Sequence, residues 1–460
     1  MKFIWKKRKS QLFDLTPNRM IVLSFLMIIL TGTILLMLPW TKKSGSLCLV
    51  DALFTSVSAV CVTGLTVVDI GKEFTLYGQL VVMLLIQLGG LGIMTFSTFF
   101  LYLLNRRVSV RNRDVIGSTI VNEPVPSIAS FLYRVIILVF SIEGVGVVLF
   151  TLRWLKYYSF PKALYHSIFH SISAFCNAGF SLYSDSFEGF NADIWLNIIL
   201  MSLIILGGLG FIVLLDSKKL FYHRRKVNSS LSFHSKVVLS VTLFLIISGA
   251  VILYFIEKEH SFMNIDTFPA LLISLFQSVT ARTAGFNTIS INALTNGSCL
   301  ILIFLMFIGA APGSCGGGVK VTTFGILIAL FFSKFRRREH AHIFKRSISK
   351  ETVSKVIAIV FSSVLIICIV FFVLLLTEQW AQDAQNNRGN FIKILFEAFS
   401  AFGTVGLSMG VTTQLTKIGR LLIILLMFIG RLGPLTLAVA LSQKGKIMKY
   451  RYAEGEIKVG

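Results

Sequence analysis

Val62-Thr63-Gly64-Leu65-Thr66 closes a short apolar stretch, and the chain writes the same kind of ending three more times. Asn177-Ala178-Gly179-Phe180-Ser181, Thr283-Ala284-Gly285-Phe286-Asn287 and Thr404-Val405-Gly406-Leu407-Ser408 share its pattern: glycine, then Leu or Phe, then a small polar residue. Ser58, Ser173 and Ser400 each stand six residues before their glycine; Thr280 stands five before Gly285, so the third copy is one residue short. A second marker follows each ending: Leu88-Gly89-Gly90-Leu91-Gly92, Leu206-Gly207-Gly208-Leu209-Gly210, Ile308-Gly309-Ala310-Ala311-Pro312-Gly313 and Ile429-Gly430-Arg431-Leu432-Gly433-Pro434. One GxxG in an apolar helix means only close packing. Two markers recurring four times in one order mean an internal repeat of about 110 residues.

Each ending is preceded by about a dozen fairly apolar residues, at 50–61, 163–176, 268–281 and 391–402. That is too short to cross a bilayer and suits a re-entrant segment. Longer apolar spans lie at 20–40, 76–104, 130–152, 193–215, 235–257, 299–333, 352–377 and 417–441. Each meets the requirement of about 20 residues at 1.5 Å rise. The expected fold is an all-α membrane protein: eight transmembrane helices in four parallel helix–pore loop–helix repeats around one central pore. Repeat 1 covers 20–104, repeat 2 130–215, repeat 3 235–334 with a broken last helix, and repeat 4 352–441. A basic arm, 1–19, precedes them and a tail, 442–460, follows.

Composition agrees. Of 460 residues, 55% are apolar and 14% charged, against about 25% charged in soluble domains; an ordinary soluble enzyme is excluded. With 41 Phe and 8 Pro the chain is not disordered either. Lys and Arg number 44 against 21 Asp and Glu. The basic runs sit in the N-terminal arm, at Arg106, Arg107, Arg111 and Arg113, at Lys218, Lys219, Arg224, Arg225 and Lys226, at Lys334, Arg336–Arg338, Lys345 and Arg346, and at Lys444, Lys446, Lys449 and Arg451. These are the termini and every second connection, which puts both termini in the cytoplasm of a multi-pass plasma-membrane protein and speaks against nucleic acid as partner. The same surfaces are compatible with docking a cytosolic protein. The stretch after the arm is too long for a secretory h-region and reads as a retained first helix. Cys48, Cys61, Cys176, Cys299, Cys315 and Cys368 form no CxxC pair, so neither a disulfide framework nor a zinc site is expected.

Irregular backbone at membrane depth is tolerated where it lines a cavity or is buried in protein. Four glycine loops about one axis would offer rings of carbonyl oxygens, able to replace the hydration shell of an alkali ion. Glycine permits the positive φ that turns carbonyls inward. The short helices would aim their partly negative C-termini at the centre. No carboxylate ring and no chain of acids crosses the spans, which disfavours a divalent-cation pore or a proton relay. Glu143 is the exception, open to three readings: a packed helix residue, an interior ion pair, or a coupling group.

The sixth span as one helix would run to about 50 Å, well beyond a ~30 Å core. Its centre, Gly309-Ala310-Ala311-Pro312-Gly313-Ser314-Cys315-Gly316-Gly317-Gly318, would lose about 8 kcal/mol as helix. A loop is expected, either a gate beneath the filter or a kink in a packing helix. Arg431, inside the last span, costs about 2.5–3.5 kcal/mol on insertion scales; it reads as a barrier below the filter or as an anchor for the glycine loop.

On these residues the chain resembles the superfamily of Trk, Ktr and HKT potassium transporters, most closely the Ktr membrane subunits. The resemblance rests on the four pore-loop endings, Pro312-Gly313-Ser314-Cys315-Gly316-Gly317-Gly318, Arg431-Leu432-Gly433-Pro434 and the ending Tyr450-Arg451-Tyr452 to Gly460. It implies K⁺ uptake, with selection at Val62-Thr63-Gly64, Asn177-Ala178-Gly179, Thr283-Ala284-Gly285 and Thr404-Val405-Gly406. Glycine in all four copies goes with K⁺ selection, whereas serine in the first loop of some relatives goes with Na⁺ passage. It also implies a homodimer with one pore per subunit, and a cytosolic partner ring of nucleotide-binding RCK subunits, KtrA or KtrC in type, which would bind ATP or ADP. No cofactor is expected in this chain, which lacks a strand-borne GxGxxG. Sodium activation is a further implication. Cys315 stands where relatives often carry a small hydroxyl residue, and a buried inert thiol is expected.

The alternative within the same class is a sodium-permeable or strictly ion-coupled cation symporter. A membrane enzyme lacks facing polar catalytic groups, and a scaffold has no use for four glycine loops. His340 and His342 read as a solvated loop, His166 and His170 as packing in the second short helix.

Overall fold

The computed structural model describes residues 17–45, 47–103, 128–222, 231–378 and 384–441. The basic residues of the arm before Arg19, those at 106–113 and 224–226 and those of the tail lie outside these segments, as does the ending 450–460.

Four long apolar helices lead the described segments: Pro17–Met37, Ile128–Trp154, Phe233–Glu257 and Lys350–Thr377. Each contains a stretch long and apolar enough to cross a membrane. Their outward faces carry exposed Ile34, Leu152, Phe255 and Phe361, a covering that water does not tolerate over large areas. Polar caps start two of them: the Ser232 and Ser349 hydroxyls accept from the amides of Ser235 and Thr352, both at 3.2 Å.

A short helix follows each lead helix: Leu49–Val60, Phe160–Phe175, Thr267–Thr280 and Ala384–Gly403. In three cases a serine fixes it. Ser56, Ser171 and Ser278 donate to the lead-helix carbonyls of Ile29, Glu143 and Ile246 at 2.7–2.8 Å. Three residues on, the lead helix has glycine each time, and a Cβ on Gly32, Gly146 or Gly249 would come within 2.5 Å of the serine oxygen. The two helices touch because one residue has no side chain there.

The helices after the loops are Leu76–Leu103, Ile194–Leu209, Asn296–Phe307 and Lys417–Leu432. Their first turns are capped by Thr75, Asp193, Thr295 and Thr416. The same four residues latch onto the ends of the lead helices. Thr75 donates to the Trp40 carbonyl at 2.7 Å, Arg153 pairs with Asp193 at 2.7 Å, Thr295 donates to Glu257 at 2.8 Å and Thr416 to Glu378 at 2.5 Å. Arg420 joins Asp51, tying the last of these helices to the first short one.

One expectation is corrected here. The spans 76–104, 193–215 and 417–441 are not continuous helices; each breaks at the last glycine of its second marker. Gly92, Gly210 and Gly433 have φ of 82°, 88° and 84°, values that do not continue a helical ladder. Beyond Gly210 and Gly433 the chain resumes as Phe211–Tyr222 and Pro434–Leu441, bent by 102° and 94°. Pro434 has no amide hydrogen with which to bridge the break. The sixth span is broken as expected, into Asn296–Phe307 and Val321–Phe335, with an irregular loop between them. His342 lies in an exposed hairpin beyond, pairing His342–Ile343 with Arg346–Ser347.

Candidate functional site

Each short helix ends in the same uncommon turn. Val62, Asn177, Thr283 and Thr404 follow it with φ of 56°, 58°, 76° and 50°. In the first, second and fourth the hydrogen bonds are those of a Schellman ending. The amides of Thr63, Ala178 and Val405 bond back to the carbonyls of Ser58, Ser173 and Ser400 at 2.7–2.9 Å. The third is a residue tighter, with the Ala284 amide on the Thr280 carbonyl at 2.9 Å, as its shorter spacing requires. Glycine ordinarily takes this position. A β-branched residue there is strained by about 1–3 kcal/mol and persists only where its surroundings dictate it.

Two residues on, Gly64, Gly179, Gly285 and Gly406 also have positive φ, from 70° to 95°. They close a ring. A Cβ on Gly64 would lie 2.5 Å from the Ala178 carbonyl oxygen, and one on Gly179 2.8 Å from that of Ala284. On Gly285 it would lie 2.3 Å from the Val405 oxygen, and on Gly406 2.2 Å from that of Thr63. Each glycine therefore packs against the carbonyl before the next glycine, in the order 64, 179, 285, 406 and back to 64.

The hydroxyls six or five residues earlier hold the loops. Ser58 and Ser400 accept from the amides of Gly64 and Gly406, both at 3.1 Å. Ser173 and Thr280 instead donate to the carbonyls of Phe180 and Phe286, at 2.7 and 2.6 Å.

On one side the ring opens into a cavity of ≈ 390 Å³. All four ring glycines line it, with Asp69, Asp185 and Glu188 on its wall and no Lys or Arg among the described residues. Glu188 also accepts from the Asn287 amide at 2.7 Å. Burial and the neighbouring Asp185 charge hold its carboxyl above the usual range, against the pull of Asn287.

On the other side lies the loop 308–320, which contains every residue expected there. It packs directly on the ring turns. A Cβ on Gly316 would meet the Thr283 hydroxyl at 2.2 Å, and the Gly317 amide donates to the Thr404 hydroxyl at 3.0 Å. Much of its backbone is partnered. The amides of Ala311, Cys315 and Gly318 donate to the carbonyls of Gly208, Gly207 and Gly430 at 3.0–3.2 Å, and the Gly313 carbonyl accepts from Phe211 at 3.0 Å. Ser314 donates to the Ala311 carbonyl at 2.6 Å. Ala310 and Pro312 lie between these contacts, and Gly309 donates to Val319 at 2.8 Å.

Arg431 is buried and donates to the carbonyls of Cys315 and Gly89. Of its two readings, the anchor is therefore visible in its contacts. A second cation was not anticipated: Lys320 donates to the Gly316 carbonyl at 2.7 Å. Its place at the start of an apolar run makes it look interfacial in sequence. Glu143 is buried, with the Gln87 amide 3.1 Å from both its oxygens; this is the packed-helix reading. His166 contacts the Tyr183 hydroxyl at 3.0 Å. No group of three His, Cys, Asp or Glu side chains able to hold a metal occurs among the described residues.

Three comparisons bear on this arrangement. Residues 2–450 match the TrkH family, described as cation transport proteins. The chain is 39% identical over 435 residues to the Ktr system potassium uptake protein B of Vibrio alginolyticus, covering 94% of this chain and 93% of that one. It is 36% identical over 447 residues to the Bacillus subtilis protein of the same name, 97% of each, and 36% over 461 residues to the potassium/sodium uptake protein NtpJ of Enterococcus hirae, 99% and 100%. Among solved structures it is similar to the potassium transporter TrkH of Vibrio parahaemolyticus, with a TM-score of 0.75 at 19% identity over 95% of this chain and 87% of that one; that likeness is one of fold.

The ring geometry sets a contrast between two glycines. Gly285→Ala places a methyl on the Val405 carbonyl at a positive φ, and overpacking with backbone strain should cost about 2–5 kcal/mol. Gly144, in a lead helix, has nothing near its missing Cβ, so Gly144→Ala should be neutral or stabilising by up to about 1 kcal/mol. Thermal unfolding in detergent checks this: a clear drop in midpoint is expected for the first variant and none for the second.

Proposed function

Since this chain belongs to the TrkH family of cation transport proteins, we propose that it is a multi-pass membrane protein that takes up potassium ions through the glycine ring. The closure of the ring, each glycine on the carbonyl before the next, is the observation that carries the proposal. In this reading the chain has eight membrane spans in four parallel repeats about one pore. The carbonyls of Thr63, Ala178, Ala284 and Val405 and the residues flanking them replace the water around the ion. The four short helices add their partly negative C-terminal ends. The acidic cavity is the outer mouth, where Asp69, Asp185 and Glu188 raise the local cation concentration.

The loop 308–320 is the gate. It lies against the inner side of the ring, and Arg431 and Lys320 place two positive charges where an ion leaving the ring would pass. Arg431 bonds a loop carbonyl from another helix, so its charge both repels the ion and holds the loop shut, while Lys320 bonds carbonyls within the loop itself. Both termini are cytoplasmic in this reading. The chain works as a homodimer in the plasma membrane, and a cytosolic RCK ring of the KtrA or KtrC type, loaded with ATP or ADP, supplies the work that moves the loop. Sodium activation remains part of the proposal through the family resemblance alone.

A sodium-permeable or strictly ion-coupled carrier is the second reading. It is favoured by the relative from Enterococcus hirae that is named for potassium and sodium together. Four glycines at the ring favour potassium.

Uptake of Rb⁺ and K⁺ into a potassium-uptake-deficient bacterial strain, with an RCK partner co-expressed, tests the primary reading. Growth at low K⁺ is expected, weakened or made less selective by Gly285→Ser. No uptake despite confirmed membrane insertion and partner expression would reject it, and equal Na⁺ uptake would favour the second reading. Deleting Gly316–Gly318 should raise basal flux severalfold without the partner, since it removes the segment on the Thr283 and Thr404 hydroxyls; unchanged flux would remove the gate from the proposal.

External pH gives an independent check. Glu188, with its raised carboxyl, takes up a proton at a higher pH than an ordinary carboxylate. Lowering external pH toward the ordinary carboxylate range should then begin to neutralise Glu188 and raise the apparent KM for Rb⁺ about twofold at low salt. Glu188→Gln should show the raised KM at every pH and a flatter profile.

A further inference from the structure

We propose that one buried polar position in each short helix forms a bracing tier behind the ring, and that His170 and Glu397 are positioning residues that set its discrimination among alkali ions. The proposal rests on the potassium-filter reading and deepens it.

The position is found by counting. Three residues before Ser58, Ser173, Thr280 and Ser400 stand Thr55, His170, Gln277 and Glu397. Residues three apart share a helix face, so each looks the same way as the hydroxyl that bonds its loop. All four are polar and at most 2% exposed. A buried polar side chain costs free energy unless it is hydrogen-bonded, and a Leu or Val would fill such a space without that cost. The tier therefore has a use beyond packing.

Two of the four show that use. The Nδ1 of His170 is 2.8 Å from the His166 carbonyl, which can only accept, so Nδ1 carries the hydrogen. Nε2 is left as acceptor for the Leu182 amide and the Ser181 hydroxyl, both at 3.3 Å. Glu397 accepts from the Ser408 hydroxyl at 2.8 Å through one oxygen and from Thr412 through the other. Ser181 and Ser408 both stand two residues after their ring glycine, so the two side chains grip the same rung of loops two and four. In the ring order 64, 179, 285, 406 those loops lie opposite each other.

The other two positions do not reach their loops. Thr55 bonds back to the Asp51 carbonyl at 2.8 Å, and the Gln277 amide has no hydrogen-bond partner among the described residues. The ring is thus clamped from behind across one diagonal. A clamp fixes the separation of the two loops, and the carbonyl separation is what distinguishes one bare alkali ion from the next. Removing either clamp frees loops two or four to relax, which admits the smaller ion.

The test is the ratio of apparent KM values for Na⁺ and Rb⁺ uptake by the full chain in a potassium-uptake-deficient strain. Loss of folded protein lowers Vmax for both ions equally and leaves the ratio unmoved. Glu397→Leu and His170→Leu should each lower the ratio about tenfold, and Glu397→Gln and His170→Gln, which keep an acceptor, should recover part of it. Thr55→Val should stay within twofold of the parent. Should the leucine variants fail to reach the membrane, Ser408→Ala, which removes one donor to Glu397, should lower the ratio about threefold. An unchanged ratio in the leucine variants, or in Ser408→Ala where those are not produced, overturns the brace if Gly285→Ser is impaired. If Gly285→Ser also keeps its ratio, the filter reading falls and the brace with it.

Discussion

Four backbone segments meet so closely at the ring that no side chain fits between them. A Cβ on any of the four glycines would stand 2.2–2.8 Å from the neighbouring carbonyl oxygen, well inside contact distance. Most other features follow from keeping such a joint intact inside a membrane. Irregular backbone there has no water to bond, so each loop amide and carbonyl needs a protein partner. The Schellman endings, the hydroxyls of Ser58, Ser173, Thr280 and Ser400, and the buried His170 supply several of them. The strain at Val62, Asn177, Thr283 and Thr404, about 1–3 kcal/mol each, is bearable only because the lead helices hold the short helices from behind. Ser56, Ser171 and Ser278 bond carbonyls one turn before Gly32, Gly146 and Gly249, and so fix where the first three loops begin.

The breaks at Gly92, Gly210 and Gly433 serve the same joint from below. A straight helix after each ring loop would leave no room for the segment 308–320 under the ring. By bending, these helices open a place for it, and glycine carbonyls of two of them become its partners: Gly207 and Gly208 for Cys315 and Ala311, Gly430 for Gly318. The second marker thus serves both packing and bonding. A Cβ on Gly89, Gly207 or Gly430 would also lie 1.8–2.1 Å from a carbonyl at the end of a short helix.

This divides what the sequence made legible from what it did not. The ring glycines and the loop 309–318 could be read because their composition contradicts the apolar helices around them, and glycine that dense has few other uses. The hydroxyl six residues before three of the glycines and five before Gly285 was visible as a spacing, though not as two donors and two acceptors. The left-handed turn at Val62 and Thr404 was not readable, because local preference argues against it and only packing from other repeats imposes it. The breaks at Gly92 and Gly210 were hidden for the opposite reason: Leu-Gly-Gly-Leu-Gly is an acceptable helix in a bilayer, and at Gly210 the partner of the bend, the Gly313 carbonyl that accepts from Phe211, comes from another repeat. Lys320 resembled a residue at a membrane surface until Gly316 and Gly317 folded back over it. His170 and Glu397 each had an ordinary explanation alone. Their equivalence emerges only when the four short helices are aligned on their hydroxyls.

The charges give the assembly a direction. In the proposed orientation an ion meets three carboxylates at the mouth, then uncharged carbonyls at the ring, then Arg431 and Lys320. A unit charge about 4 Å from another at an effective dielectric of 20 is worth about 4 kcal/mol, so cations beside the exit oppose passage where the carboxylates at the mouth favour entry. Yet Arg431 is bonded to the loop that would have to move, and Lys320 is part of that loop. Displacing it would leave the buried guanidinium short of an acceptor, at about 1–3 kcal/mol for the bond lost. The closed arrangement is therefore held by one of the two residues that make it impassable. Opening requires either a new acceptor for Arg431 or work done from outside the membrane. That requirement gives a physical reason for a pore of this design to need a partner.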